Sequence, residues 1–183
     1  SLKSAIQGLD PDVVAVSIRN IDHVDSTAAF EDTWELKEAK QVVALIRRQT
    51  CVPVIIGGPA VSVMPALILD YVGADMAVAG EAESSIVQIV QACEKGDSFL
   101  PRLWPRSTAW VDGDQQSVPF YEPSLVSFYW NASGIMGLQT KRGCPYHCCY
   151  CTYPEIEGRR FRTRPVEAVL ADLERLKRDF QVD

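Results

Sequence analysis

The chain reads as an α/β protein, a partial doubly wound parallel sheet followed by one further strand–helix unit. Three features of its 183 residues lead there. Short β-branched apolar runs alternate with longer stretches of helical period, and the second and third runs stop at glycines. The chain is also 47% hydrophobic and 23% charged, the balance of an ordinary globular protein.

Leu2 to Leu9 has the look of a helix end, and Asp12 to Ile18 (DVVAVSI) the composition of a parallel strand buried on both faces. From Trp34 to Gln49, Leu36, Ala39, Val42, Val43 and Ile46 recur at helical spacing with charge on the opposite face. Val52 to Ile56 is a second strand that runs into Gly57-Gly58-Pro59, and a helix carrying Leu67, Ile68 and Tyr71 follows up to Gly73. Met76 to Ala79 is a third strand ending at Gly80, before a helix with Ile86, Ile89, Val90 and Cys93 on one face that ends at Gly96. Three strands are few for such a sheet, so earlier strands are expected ahead of residue 1.

Residues 97–133 lose the helical period and gather prolines at 101, 105, 119 and 123 with aromatic weight from Trp104, Trp110, Phe120, Tyr121, Phe128, Tyr129 and Trp130, a connector expected to pack. Within it, Ala109-Trp110-Val111 and Gln116-Ser117-Val118 flank Asp112-Gly113, which predicts a hairpin. A new unit spans 134–183: Ile135 to Thr140 as a strand, a cysteine-rich loop, and a helix from Pro165. Val166, Val169, Leu170, Leu173, Leu176 and Phe180 line one face of that helix. The predicted division is thus 1–96, 97–133 and 134–183.

A net charge of −6 and a pI near 5.0 argue against general binding to nucleic acid or anionic lipid, although Arg159, Arg160, Arg162 and Arg164 form a basic run. That run reads first as a solvated face and second as a site for a carboxylate or phosphate. No apolar run reaches the roughly 18 residues of a membrane span, and the start lacks a signal-peptide layout, so a cytoplasmic protein is expected. Six cysteines in such a chain, four of them between 144 and 151, point to metal rather than disulfides. Cys51 and Cys93 read as small buried hydrophobes.

The loop Gly143-Cys144-Pro145-Tyr146-His147-Cys148-Cys149-Tyr150-Cys151 carries the chemistry. Cys144, Cys148 and Cys151, with three and then two residues between them, can wrap three thiolates around one [4Fe–4S] cube, leaving one iron open to another ligand. Zinc sites and four-cysteine electron-transfer sites use other spacings, and purely structural cysteines are the bland alternative. Cys149 and His147 stand at positions this spacing does not use.

CPYHCCYC after a strand resembles the cluster motif of the radical S-adenosylmethionine (SAM) superfamily. The resemblance implies that Cys144, Cys148 and Cys151 hold the cluster, that SAM chelates the open iron, and that Tyr150 lies near its adenine. It implies an enzyme that cleaves SAM reductively to a 5′-deoxyadenosyl radical and needs an electron donor and a small-molecule substrate. PDVVAVSIRN, VPVIIGGPAVSVMP and GADMAVAGEAESSI, in that order, resemble the later half of the Rossmann-like cobalamin-binding domain that precedes the radical SAM barrel in one large subfamily. Cobalamin is therefore implied as a second cofactor, at the strand ends where Ser17, Gly57, Gly58, Pro59, Gly80 and Glu81 fall. Glycines there admit a large flat ligand, or else they simply make tight turns. Cobalamin domains that supply a histidine ligand use DxHxxG. Here His23 directly follows Asp22 and that pattern is missing.

Only 32 residues follow Cys151, the first βα unit of a barrel that needs several units. This length of chain is accordingly expected to be inactive alone and to self-associate through its uncovered edges and orphan helix. A radical SAM enzyme without cobalamin and a non-enzymatic metal or redox module are the competing readings.

Overall fold

The computed structural model describes residues 2–21, 34–83, 85–97, 100–104 and 110–182. Asp22, His23, Pro105 and Ala109, which entered the sequence reading, lie outside that set. The first half alternates helix and strand: α1 (Leu2–Leu9), β1 (Val14–Ser17), α2 (Glu35–Gln49), β2 (Val54–Gly57), α3 (Pro59–Val63), α4 (Pro65–Val72), β3 (Met76–Val78), α5 (Ile86–Glu94) and β4 (Leu103–Trp104). The four strands form one parallel sheet in the order β1-β2-β3-β4. This bears out the α/β class.

β2 explains the two-sided core. Its side chains alternate, so Val54 and Ile56 join Val43 and Ile46 of α2 and Ile68 and Leu69 of α4 on one face. Ile55 turns to the other face and meets Met76, Val78 and Ile89 of α5. Helices on both faces make every residue of β2 and β3 apolar or glycine. Asp75 locks the near end, its carboxylate accepting from Val54 N at 2.7 Å and pairing with Arg47 at 2.5 Å.

Several details depart from the sequence reading. β1 is an edge strand whose Ala15 and Ser17 are exposed, because only β2 flanks it; it is not buried on both faces. The helix expected before Gly73 is broken into α3 and α4 by Pro65, and Leu67 points to solvent while Ile68, Leu69 and Val72 fill the core. Cys51 is exposed; Cys93 is half-buried.

The connector is more ordered and less packed than its composition suggests. Leu103–Trp104 adds the fourth strand, and α6 (Pro123–Ser133) opens on Glu122, whose carboxylate accepts from Leu125 N, and closes on left-handed Gly134. Phe120, Phe128 and Tyr129 remain exposed. Among the described residues the expected hairpin does not form: Asp112-Gly113 opens a single 3₁₀ turn (Gly113–Gln115), with Gly113 pressed against Thr163, where a Cβ would lie 1.7 Å from the carbonyl oxygen.

In the last unit Ile135 to Thr140 is not a strand. The chain pairs later, as a two-stranded antiparallel ribbon of β5 (Lys141–Arg142) and β6 (Arg162–Thr163) that encloses the cysteine loop and α7 (Tyr153–Glu157). A buried arginine on each side of Thr163, described below, anchors the ribbon there. Helix α8 (Val166–Phe180) follows, with Pro165 at its cap rather than its first position.

Candidate functional site

The strand ends supply one wall of a cleft of about 390 Å³. Ser17 closes β1, Gly58-Pro59 leads from β2 into α3, and Gly80-Glu81 follows β3, so parallel pairing brings five of the six predicted strand-end residues to one rim. Gly57, the sixth, stays within β2. The hydroxyl of Ser62 ties the two turns, donating to Gly58 O at 2.9 Å and accepting from Gly80 N at 2.8 Å. Gly58 has φ of +99°, and a Cβ there would lie 2.6 Å from Ile18 O and 2.9 Å from Ser17 Oγ. Only glycine allows β1 and the start of α3 to approach this closely.

The opposite wall comes from the cysteine-loop unit, through Gln139, Arg142, Ile156 and Glu157. The two walls are fastened by charge. Glu81 Oε1 lies 2.5 Å from Arg162 Nη2, and Glu81 Oε2 accepts from Arg162 Nη1 at 2.9 Å and from Val111 N at 3.0 Å. Arg162 also donates to the carbonyls of Val111 and Glu157, and its guanidinium centre lies 5.1 Å from the Trp110 ring. Arg142 Nη1 reaches Glu81 at 3.4 Å and Glu83 at 2.6 Å. Burial pushes the Glu81 carboxyl up, but the Arg162 hydrogen bond, the Val111 amide and the nearby guanidinium charges outweigh it and hold it below its ordinary range.

Arg162 and Arg164 thus overturn the reading of the basic run as a solvated face. Both are buried: the first pairs with Glu81, and the second places Nη2 2.7 Å from Asp172 Oδ2 on α8. Arg159 and Arg160 do remain exposed, pairing with Glu155 and Asp112. The missed signal was the spacing: residues two apart on a strand share a face, and the acidic partners stand 81 residues upstream and 8 downstream in the chain.

The cysteine loop is pinned at its root and open at its crown. Gly143 N donates to Glu157 Oε2 at 3.0 Å, Cys144 N to Gly158 O at 3.0 Å, and Cys151 N to Cys148 O at 3.1 Å across the turn. Gly143, at φ +79°, could not carry a side chain, since its Cβ would meet Arg160 O at 2.0 Å. Cys144 is half-buried; Cys148, Cys149, Cys151 and Tyr150 are exposed, the last at 85%. Among the described residues no three His, Cys, Asp or Glu side chains are gathered in metal-ligating positions. The donor set nevertheless suits a cluster: the free thiols of Cys144, Cys148 and Cys151 stand on one short loop. His147 Nδ1 lies 3.2 Å from Arg159 Nη1, a surface contact.

A Rossmann-like sheet whose strand ends share one cleft with the residues flanking a cysteine-rich loop defines the class, a ligand-binding α/β domain joined to a metal-type loop unit. The B12 binding domain family matches residues 1–90. Tryptophan 2-C-methyltransferase of Streptomyces laurentii is 25% identical over 96% of this chain and 39% of its own length. Hopanoid C-2 methylase of Rhodopseudomonas palustris is 29% identical over 68% of the chain and 22% of its own. The radical SAM methyltransferase TsrM of Kitasatospora setae, solved with cobalamin and a [4Fe–4S] cluster, superposes with a TM-score of 0.78 at 25% identity, covering 98% of this chain and 39% of that one. Residues 1–90 thus match a B12 binding domain, and over nearly its whole length the chain is similar to a radical SAM methyltransferase solved with cobalamin and a [4Fe–4S] cluster. It spans about two fifths of the length of tryptophan 2-C-methyltransferase and of TsrM.

Proposed function

We propose that this chain is the cofactor-gathering part of a cytoplasmic, cobalamin-dependent radical SAM methyltransferase acting on a small molecule. The observation that carries the reading is the shared cleft, with the strand ends of the B12-type domain on one side and the cysteine-loop unit on the other. Ser17, Gly58, Pro59 and Gly80 would border cobalamin, with the close glycine backbone letting a flat ligand approach. Cys144, Cys148 and Cys151 would hold the cluster, and Tyr150 would meet the adenine of SAM. When bound, these groups supply one-electron reduction of the sulfonium, as in the formation of a 5′-deoxyadenosyl radical, and a carrier for the methyl group. Glu81 keeps a supporting role, because its carboxylate is engaged by Arg162. The TsrM structure solved with tryptophan and a SAM analog supports a small-molecule substrate for the class.

The test is anaerobic reconstitution with iron and sulfide, then EPR after dithionite, beside a Cys144→Ala, Cys148→Ala, Cys151→Ala variant. A [4Fe–4S]⁺ signal that shifts with SAM and vanishes in the variant is expected. Stoichiometric zinc and no cluster, in this chain and in a full-length protein, would sink the reading.

A further inference from the structure

Five direct contacts lead from the cleft to the first cysteine. Glu81 and Arg162 are the innermost, with side chains 8% and 1% exposed, facing each other with both carboxylate oxygens engaged. From the same guanidinium, Nη2 donates to Glu157 O at 2.7 Å, at the end of α7. The side chain of that same Glu157 accepts Gly143 N, and the next carbonyl, Gly158 O, accepts Cys144 N. Gly158, at φ +87°, lies against Trp110, whose ring is also the one beside Arg162.

Every link is a short polar contact between groups with few alternatives. Gly143 leaves no room for a side chain, and at Gly158 a Cβ would be strained by the left-handed backbone and would sit 3.1 Å from the Trp110 ring. Asp112 and Glu155, in contrast, hold exposed arginines by single surface pairs, and the one onward contact, Arg159 to His147 at 3.2 Å, is itself solvent-exposed.

We propose that Glu81 and Arg162 are positioning residues: through Glu157 they set the place of Gly143-Cys144, and so hold the root of the cysteine loop in fixed register with the strand-end cleft. The cysteine-loop unit is thereby seated on the B12-type domain through the buried Glu81–Arg162 pair, beside the less buried contacts of Arg142 with Glu81 and Glu83. Its meaning for catalysis rests on Cys144 being a cluster ligand, but the positioning itself does not.

Two measurements separate those questions. The first is amide hydrogen exchange on the chain without added iron, comparing wild type with Glu81→Gln, Glu81→Asp and Glu157→Gln. Removing a charged hydrogen-bond partner is expected to speed exchange at Gly143 and Cys144 roughly 10- to 100-fold in Glu81→Gln and Glu157→Gln. Val54–Gly57 of the core stays at the wild-type rate. Glu81→Asp, which keeps the charge, restores much of the protection. The second is the EPR spectrum of the reconstituted, reduced cluster. Displaced or broadened g-values are expected in Glu81→Gln and Glu157→Gln, and a spectrum close to wild type in Glu81→Asp.

Unchanged exchange at 143–144 in both Gln variants overturns the proposal. So does acceleration spread equally over β2, which would make the pair a general stabiliser. If Glu81→Gln does not fold, Glu157→Gln decides, since it leaves the buried pair in place. If no cluster forms in wild type, the cluster reading fails while hydrogen exchange still settles the positioning.

Discussion

Glu81 is a carboxylate whose pKa burial raises, and the facing Arg162 guanidinium, with the Val111 amide and Arg142, more than reverses that shift. Its folded value lies below the ordinary 4.5, so folding releases protons as pH falls toward that range. The pair's contribution is complete above about pH 4.5 and fades as pH drops through the lower folded value. Breaking such a buried pair by removing one partner costs about 3–5 kcal/mol. We therefore expect Glu81→Gln to be less stable than wild type by roughly that amount at pH 7, with the gap narrowing as urea unfolding is repeated down to pH 3. A gap that stays constant over that range would show that the ionised carboxylate is not what holds Arg162. At this scale the sequence was only partly legible. The three cysteines proposed as cluster ligands stand out because they share one loop of nine residues. Glu81 could be placed at a strand end, but its partner could not, because a pairing across 81 residues leaves no local mark.

Among the elements, those whose partners are close in sequence were readable, and those built by long-range contact were not. Helix α2 carried its stripe and its own charge bias, Glu35 and Glu38 in the first turn and Arg47 and Arg48 in the last. Helix α6 hid because its apolar residues run all round it and only Val126 is buried, although Glu122-Pro123 and Gly134 were start and stop signals in plain view. The strand expected at 135–140 failed for the opposite reason: its composition is β-like, but the chain pairs only at Lys141–Arg142, where buried Arg162 fixes the partner strand. The glycines at the end of β2 allow a sharp test. Gly58 has a backbone essentially reserved for glycine and a carbonyl where Cβ would go, whereas Cβ on Gly57 would meet nothing nearer than Val78 O at 3.7 Å. Gly58→Ala is expected to destabilise by about 1–3 kcal/mol and to weaken cobalamin binding followed by visible absorbance. Gly57→Ala is expected to fall within about 1 kcal/mol of wild type on either side. Equal behaviour of the two variants would mean that the strand end is not the tight, ligand-facing turn described here.

For the whole molecule, the distribution of exposed apolar surface decides what the chain does in solution. The sheet is sealed by α2 and α4 on one face and α5 on the other, yet Phe128 on α6 is 65% exposed and Leu170 on α8 51%. Leu125, Tyr129, Val166 and Leu173 are uncovered on the same two helices, which lie near each other where Tyr121 meets the Phe180 ring edge-on. Side chains of this size in one region exceed what scattered surface hydrophobes explain, and apolar patches beyond a few hundred Å² are generally covered by something. The outer edge of β1 adds unpaired backbone groups. Nothing in the net charge of −6 is large enough to keep copies of this chain apart at ordinary salt. We expect it to self-associate at micromolar concentration, seen as a mass above 20.3 kDa in size-exclusion chromatography with light scattering. Leu170→Glu with Leu173→Glu is expected to return the chain to monomer with its circular dichroism spectrum unchanged, since both residues face solvent and Leu176 below them carries the packing of α8. A wild-type chain that elutes as a monomer at every concentration would show that these helix faces are tolerated bare. A variant that still associates would move the contact to the edge of β1.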